Sequence, residues 1–168
     1  SADGSRAWVA GALSRDVTAL DLSDPRTPVV VATVPTTAEP LEPAVANGKR
    51  LFFRSREPRH SEGNYIACAS CHADGGMSDG RTWDFTQSGE GLRNTIDLRG
   101  RAGLGHGPVH WSANFDEIQD FENDIVSGFG GTGLADDGDP PYPPLGSLRN
   151  AGRSADLDDL AAYVSSLA

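Results

Sequence analysis

Cysteine is almost missing from this 168-residue chain: Cys68 and Cys71 are the only two. So few exclude the disulfide framework that holds many small secreted domains together. Methionine occurs once, at Met77, and aromatic residues make up 7%. A core built from side chains alone would be thin for this length. No apolar run approaches the roughly 20 residues that span a bilayer; the most apolar one, from Pro28 to Pro35, is strand-sized. An initiator methionine and a signal peptide are also missing. The chain is therefore expected to be a mature or excised fragment, with any secretion signal upstream of Ser1. Basic residues are outnumbered, 14 against 24 acidic ones, for a formal net charge of −10. An acidic surface repels nucleic acid and anionic lipid, so no nucleic-acid partner and no membrane span are expected. It leaves a basic protein partner, or plain solubility.

Glycine and proline are plentiful, 20 and 11, which predicts long loops and short helices. Three short strands are expected in residues 1–35: Arg6–Ala10, the alternating Val17–Leu22 and the β-branched Val29–Val34. Ser23-Asp-Pro-Arg-Thr-Pro28 supplies turn chemistry between the last two. Residues 36–43 read as a Pro-rich linker, and residues 44–168 as the main domain. In it, Pro43–Phe53 predicts a helix with Pro43 at its tolerated first turn. Gly48 costs this helix roughly 1 kcal/mol against alanine, which a close crossing by another helix would explain. A second helix is predicted from Asn114 or Asp116 through Ile118, Phe121, Ile125 and Val126, and a third after Ser154, a good N-cap. Between the first two, residues 74–113 read as Gly-rich and irregular, and Arg54–Gly63, with His60, as a charged solvated loop.

Cys68-Ala-Ser-Cys71-His72 carries the chemistry. C-x-x-C-H is the pattern of covalent haem attachment. Residues i and i+3 of a helical turn face one way, so both sulfurs reach the two vinyl groups on one porphyrin edge. His72 follows and its imidazole reaches the iron from below. Ala69 and Ser70 are small enough to lie close to the macrocycle. A thioredoxin-like pair would want a βαβ setting, and zinc would want two more ligands at suitable spacing. One covalent haem c is therefore expected, and its buried porphyrin would replace the scarce core side chains.

The helix ending Gly48-Lys-Arg-Leu-Phe-Phe53, the motif, and the closing helix Leu157–Leu167 together resemble the class I cytochrome c fold. In that family the first and last helices cross beside a glycine and an aromatic, which would place Gly48, Phe52 and Tyr163 together. The order CASCHADGGMSD (Cys68–Asp79), Leu92-Arg-Asn-Thr95, Gly107-Pro-Val-His-Trp111 and Phe115-Asp-Glu-Ile is similar to one domain of the bacterial di-haem cytochrome c peroxidase and MauG-like superfamily. Two departures stand out: Ile96 follows Thr95 where the family has proline, and Ser112-Ala113 follows Trp111. Residues 1–35 resemble the closing blade of a YncE-like β-propeller, which would make the domain part of a longer chain. The resemblance implies a mainly α fold, cytochrome c-like around one covalent haem, with a short N-terminal β-meander. It also implies a bacterial periplasmic or exported location.

The second axial ligand decides what the haem does. Met77 lies five residues past His72, too near for the opposite face unless Gly75 and Gly76 bend the chain. His110, set between Val109 and Trp111, is the favoured ligand, with His106 behind it. The alternative for His110 is a hydrogen-bonding histidine near the haem, with the distal position open. Arg93 is the candidate partner of a haem propionate, and Trp111 a candidate haem contact. The expected function is electron transfer by a mono-haem c-type cytochrome with a redox partner protein. The alternative is a peroxidase-like or small-ligand-binding haem domain with an open distal site.

Overall fold

Strand formation at the start follows the sequence pattern closely. The computed structural model describes residues 1–87 and 89–168. Three antiparallel strands, β1 (Arg6–Gly11), β2 (Asp16–Asp21) and β3 (Val29–Pro35), form a meander in that order. Thr18 and Thr33 share a cross-strand hydrogen bond of 3.1 Å, and a bulge falls where the register passes from Ala19 to Leu20. The β2–β3 turn is closed by Asp24, whose side chain accepts from the Arg26 amide at 3.0 Å. The valines of β3 are solvent-exposed. The chain divides into two units, Ser1–Leu41 and Glu42–Ala168, so the boundary falls inside the Pro-rich segment.

The second unit is built on two helices, α1 (Pro43–Phe53) and α3 (Ala155–Ser165). Ser154 caps α3 by accepting from the Leu157 amide at 3.1 Å, and Asp156 and Asp158 occupy its first turn, where the helix dipole favours negative charge. The helices meet at Gly48. A side-chain carbon there would run into the Asp159 carbonyl and lie 2.9 Å from Cβ of Tyr163. This contact is why the residue is glycine. The core around the crossing contains Leu51, Phe52, Ile125, Leu134, Leu157 and Leu160. Asn47 fastens the helices at the edge, donating to Asp156 at 3.0 Å and Asp159 at 2.8 Å.

Between these helices the chain is mostly loop, which overturns the mainly α expectation. Helix accounts for 27% of the chain and strand for 19%, in two sheets. The reason is local. Glycines 75, 76, 103, 107, 130, 133 and 152 adopt positive φ, as do Asp74, Ala102, His110, Ala113 and Leu145. Such residues interrupt helices. The one-turn α2 (Ala73–Gly76) contains three of them, Asp74, Gly75 and Gly76. A second hairpin, β4 (Thr82–Phe85) with β5 (Gly91–Asn94), lies in the stretch expected to be irregular. The expected helix from residue 114 is instead a 3₁₀ turn, Ile118–Phe121, followed by a π turn, Asp124–Gly128. Glu117 is extended, and its amide is drawn to the Asp120 carboxylate, so an α-helix does not start there.

Buried polar groups pin the last long loop. Asn150, fully buried, donates to Asp120 at 2.9 Å and to the Tyr142 carbonyl at 3.0 Å. Arg153 forks onto Asp137 at 2.6 and 2.7 Å and stacks over Tyr142. The aspartates at 136–139 are thus a partner for arginine. No helix is long and apolar enough to cross a membrane among the described residues.

Candidate functional site

A cavity of about 290 Å³ opens between the α1–α3 pair and the loops of the second unit. Its walls are largely apolar, with Phe52, Ile66, Trp83, Phe85, Leu157 and Val164 among them. Protein interiors are normally close-packed. Walls like these suit a large apolar group packed between them.

Cys68, Cys71 and His72 all line this cavity. Cys68–Ser70 forms a 3₁₀ turn, and the His72 amide bonds the Cys68 carbonyl at 2.9 Å. Ser70 stabilises the turn by accepting from the Ala67 amide at 3.0 Å. The turn presents both sulfurs and the imidazole to one space. The cysteines are free thiols. Burial pushes the Cys68 thiol up to about 11, and burial followed by the Asp79 charge pushes Cys71 up as well. Reactive redox thiols and zinc ligands need the opposite shift, toward thiolate. Uncharged sulfur facing an apolar cavity suits a thioether. Among the described residues no group of three or more His, Cys, Asp or Glu side chains is placed to hold a metal ion. Zinc held by the pair would need such a group. Haem iron does not, because the porphyrin supplies four ligands.

The His72 ring lies 6.4 Å from that of Phe52. Its Nδ1 is sealed from solvent without a hydrogen-bond partner. Burial lowers its basicity, opposed by the Ile96 backbone and by Asp79 and Asp97.

The other sequence candidates separate. His110 and Trp111 line the cavity, whereas His106, Met77 and Arg93 do not. His106 contacts the Gly100 carbonyl at 3.2 Å on the surface, and Met77 is exposed. Arg93 bonds Glu90 at 3.2 Å. Among the arginines, Arg101 takes the place on the cavity wall. Trp111 donates to the Asn94 carbonyl at 2.8 Å, which ties the cavity loop to β5.

His110 is held firmly. It sits at φ 70°, a conformation that non-glycine residues rarely adopt, in a five-residue loop closed by the Val109–Phe115 bridge. Its Nδ1 contacts Asn114 Oδ1 at 2.8 Å, and its Nε2 faces Asp124 at 3.5 Å. The ring stacks on Phe115 at 4.6 Å and lies 4.5 Å from Trp111. Burial pushes the Asp124 carboxyl up, with the His110 charge opposing.

His60, expected in solvent, is instead 4% exposed and lines the cavity. Its segment pairs with a distant loop. Ser61 bridges to Gly130, the Glu62 amide bonds the Phe129 carbonyl at 2.9 Å, and the Gly133 amide bonds the Arg59 carbonyl at 3.1 Å. No local pattern in the sequence announces this pairing. The one hint is Gly130-Gly131, since a side chain at Gly131 would strike the backbone of Arg59 and His60.

No protein-family model, no curated protein and no solved structure matches the chain.

Proposed function

We propose that residues 42–168 form a mono-haem c-type cytochrome domain that transfers electrons. The observation that carries this reading is the convergence of two un-ionised thiols and one buried imidazole on a single apolar cavity. Cys68 and Cys71 would hold the haem through thioether bonds and His72 would bind its iron. The bound group supplies one-electron redox chemistry, and the protein sets its potential through ligation and burial. Trp83, Phe85, Trp111 and Leu157, which line the cavity, would shield the group from water. Arg101, the arginine on the cavity wall, would be the residue to pair with a propionate. The net charge of −10 favours a basic redox partner, and haem attachment of this kind implies a periplasmic or exported setting.

The test is expression in a host that matures c-type cytochromes, followed by intact mass and a reduced optical spectrum. One covalently added haem per chain and reversible reduction are expected. A colourless protein of unmodified mass would reject the reading.

The His110–Asp124 pair favours a second reading, in which the distal face stays open and this pair hydrogen-bonds a small ligand such as peroxide. Rapid binding of CO to the reduced wild-type protein would select it.

A further inference from the structure

We infer that His60 is the second axial ligand of the haem iron. The inference rests on the proposed haem reading and names the residue that completes that site.

The first ground is an unmet valence. Both ring nitrogens of His60 are sealed from solvent and neither has a hydrogen-bond partner. A buried polar atom left unpaired costs about 1–3 kcal/mol, and native proteins pair nearly all of theirs. A ring with two such atoms, lining a cavity, needs a partner inside it. Metal ligation satisfies one nitrogen directly.

Placement is the second ground. His60 and His72 line one cavity and are carried by different segments. The His72 ring lies 6.4 Å from that of Phe52. His60 is fixed to residues 129–133 through Ser61, Glu62 and Arg59. An iron in that cavity would take one imidazole from each segment.

Contrast with the other histidines is the third. His106 and His110 each have a ring nitrogen in contact with an acceptor oxygen, whereas neither nitrogen of His60 has a partner. His110 is then a wall residue that orders the Asp124 side of the cavity.

The test uses the haem-loaded full chain. Wild-type protein is expected to be low-spin and six-coordinate in both oxidation states, to give the EPR signature of two axial imidazoles, and to bind CO slowly. His60→Ala is expected to turn high-spin, to bind CO rapidly, and to return to low-spin on adding imidazole. His60→Met is expected to stay low-spin with a raised potential. If neither variant accumulates, the wild-type EPR spectrum decides. A five-coordinate wild type, or one whose second ligand is not imidazole, overturns the inference and leaves the haem reading standing. A low-spin His60→Ala overturns it too, most directly if His110→Ala is the variant that turns high-spin. Wild-type protein without haem removes both together.

Discussion

The rings of Phe52 and Tyr163 meet edge to face, 5.1 Å apart at 64°, across the crossing of α1 and α3. Gly48 lets the helices approach closely enough for that contact. Gly48→Ala is expected to destabilise the domain by about 3 kcal/mol, since the new methyl meets backbone at Asp159 and cannot swing aside. Urea unfolding by circular dichroism measures it. A loss under about 0.5 kcal/mol would show that the crossing relaxes easily.

The two proposed thioether bonds are separable. Cys68→Ser and Cys71→Ser are each expected to keep haem attached through the remaining sulfur, and the double variant to release it on acid extraction. Intact mass before and after extraction reads this. Haem retained covalently by the double variant would contradict the roles given to these sulfurs.

Arg153 and Asp137 set a pH dependence. The guanidinium holds the Asp137 carboxyl down at about 2, below its ordinary 3.8. A carboxyl depressed in the folded state binds its proton more weakly there than when unfolded. Its stabilisation is therefore present above about pH 4 and lost as pH falls toward about 2. Asp137→Asn should be less stable than wild type by a constant margin from neutrality down to about pH 4, and that margin should shrink below it. Stability curves at stepped pH test this. A margin that widens on acidification would reverse the sign.

The break after Leu41 predicts that residues 42–168 fold by themselves. Expressed alone, they are expected to give the same helical signal and to take up haem as the full chain does. Failure to fold would mean that the first 41 residues complete the core.

Much of this arrangement is written locally, and some of it is not. The strands of residues 6–35 follow from alternation and β-branching, and α1 and α3 from their apolar stripes and the Ser154 cap. Cys68, Cys71 and His72 are legible as a site because the spacing is itself the chemistry. Trp83 and Phe85 do alternate with Thr82 and Asp84, but four residues are too short a run to mark β4. The segment 114–128 carries a helical stripe, yet the Glu117 and Asp120 carboxylates bind backbone amides of other turns and break the helix into 3₁₀ and π pieces. His60 was hidden for a different reason. Its neighbours Arg59 and Glu62 are charged, and its burial comes from pairing with residues 129–133, a non-local contact that no window of sequence contains.

The helix pairing at Gly48 also bears on the order of events during synthesis. Asn47 and Asp156, which fasten the two helices, are 109 residues apart. Bringing such distant points together costs about 4 kcal/mol in loop-closure entropy, and nothing on the far side exists until α3 has emerged. Throughout that interval Cys68 and Cys71 belong to a chain whose core has not formed, and their sulfurs stay open to the enzymes that would join them to a porphyrin. Late closure would thus give the proposed haem attachment its window, before the finished fold shuts around the group.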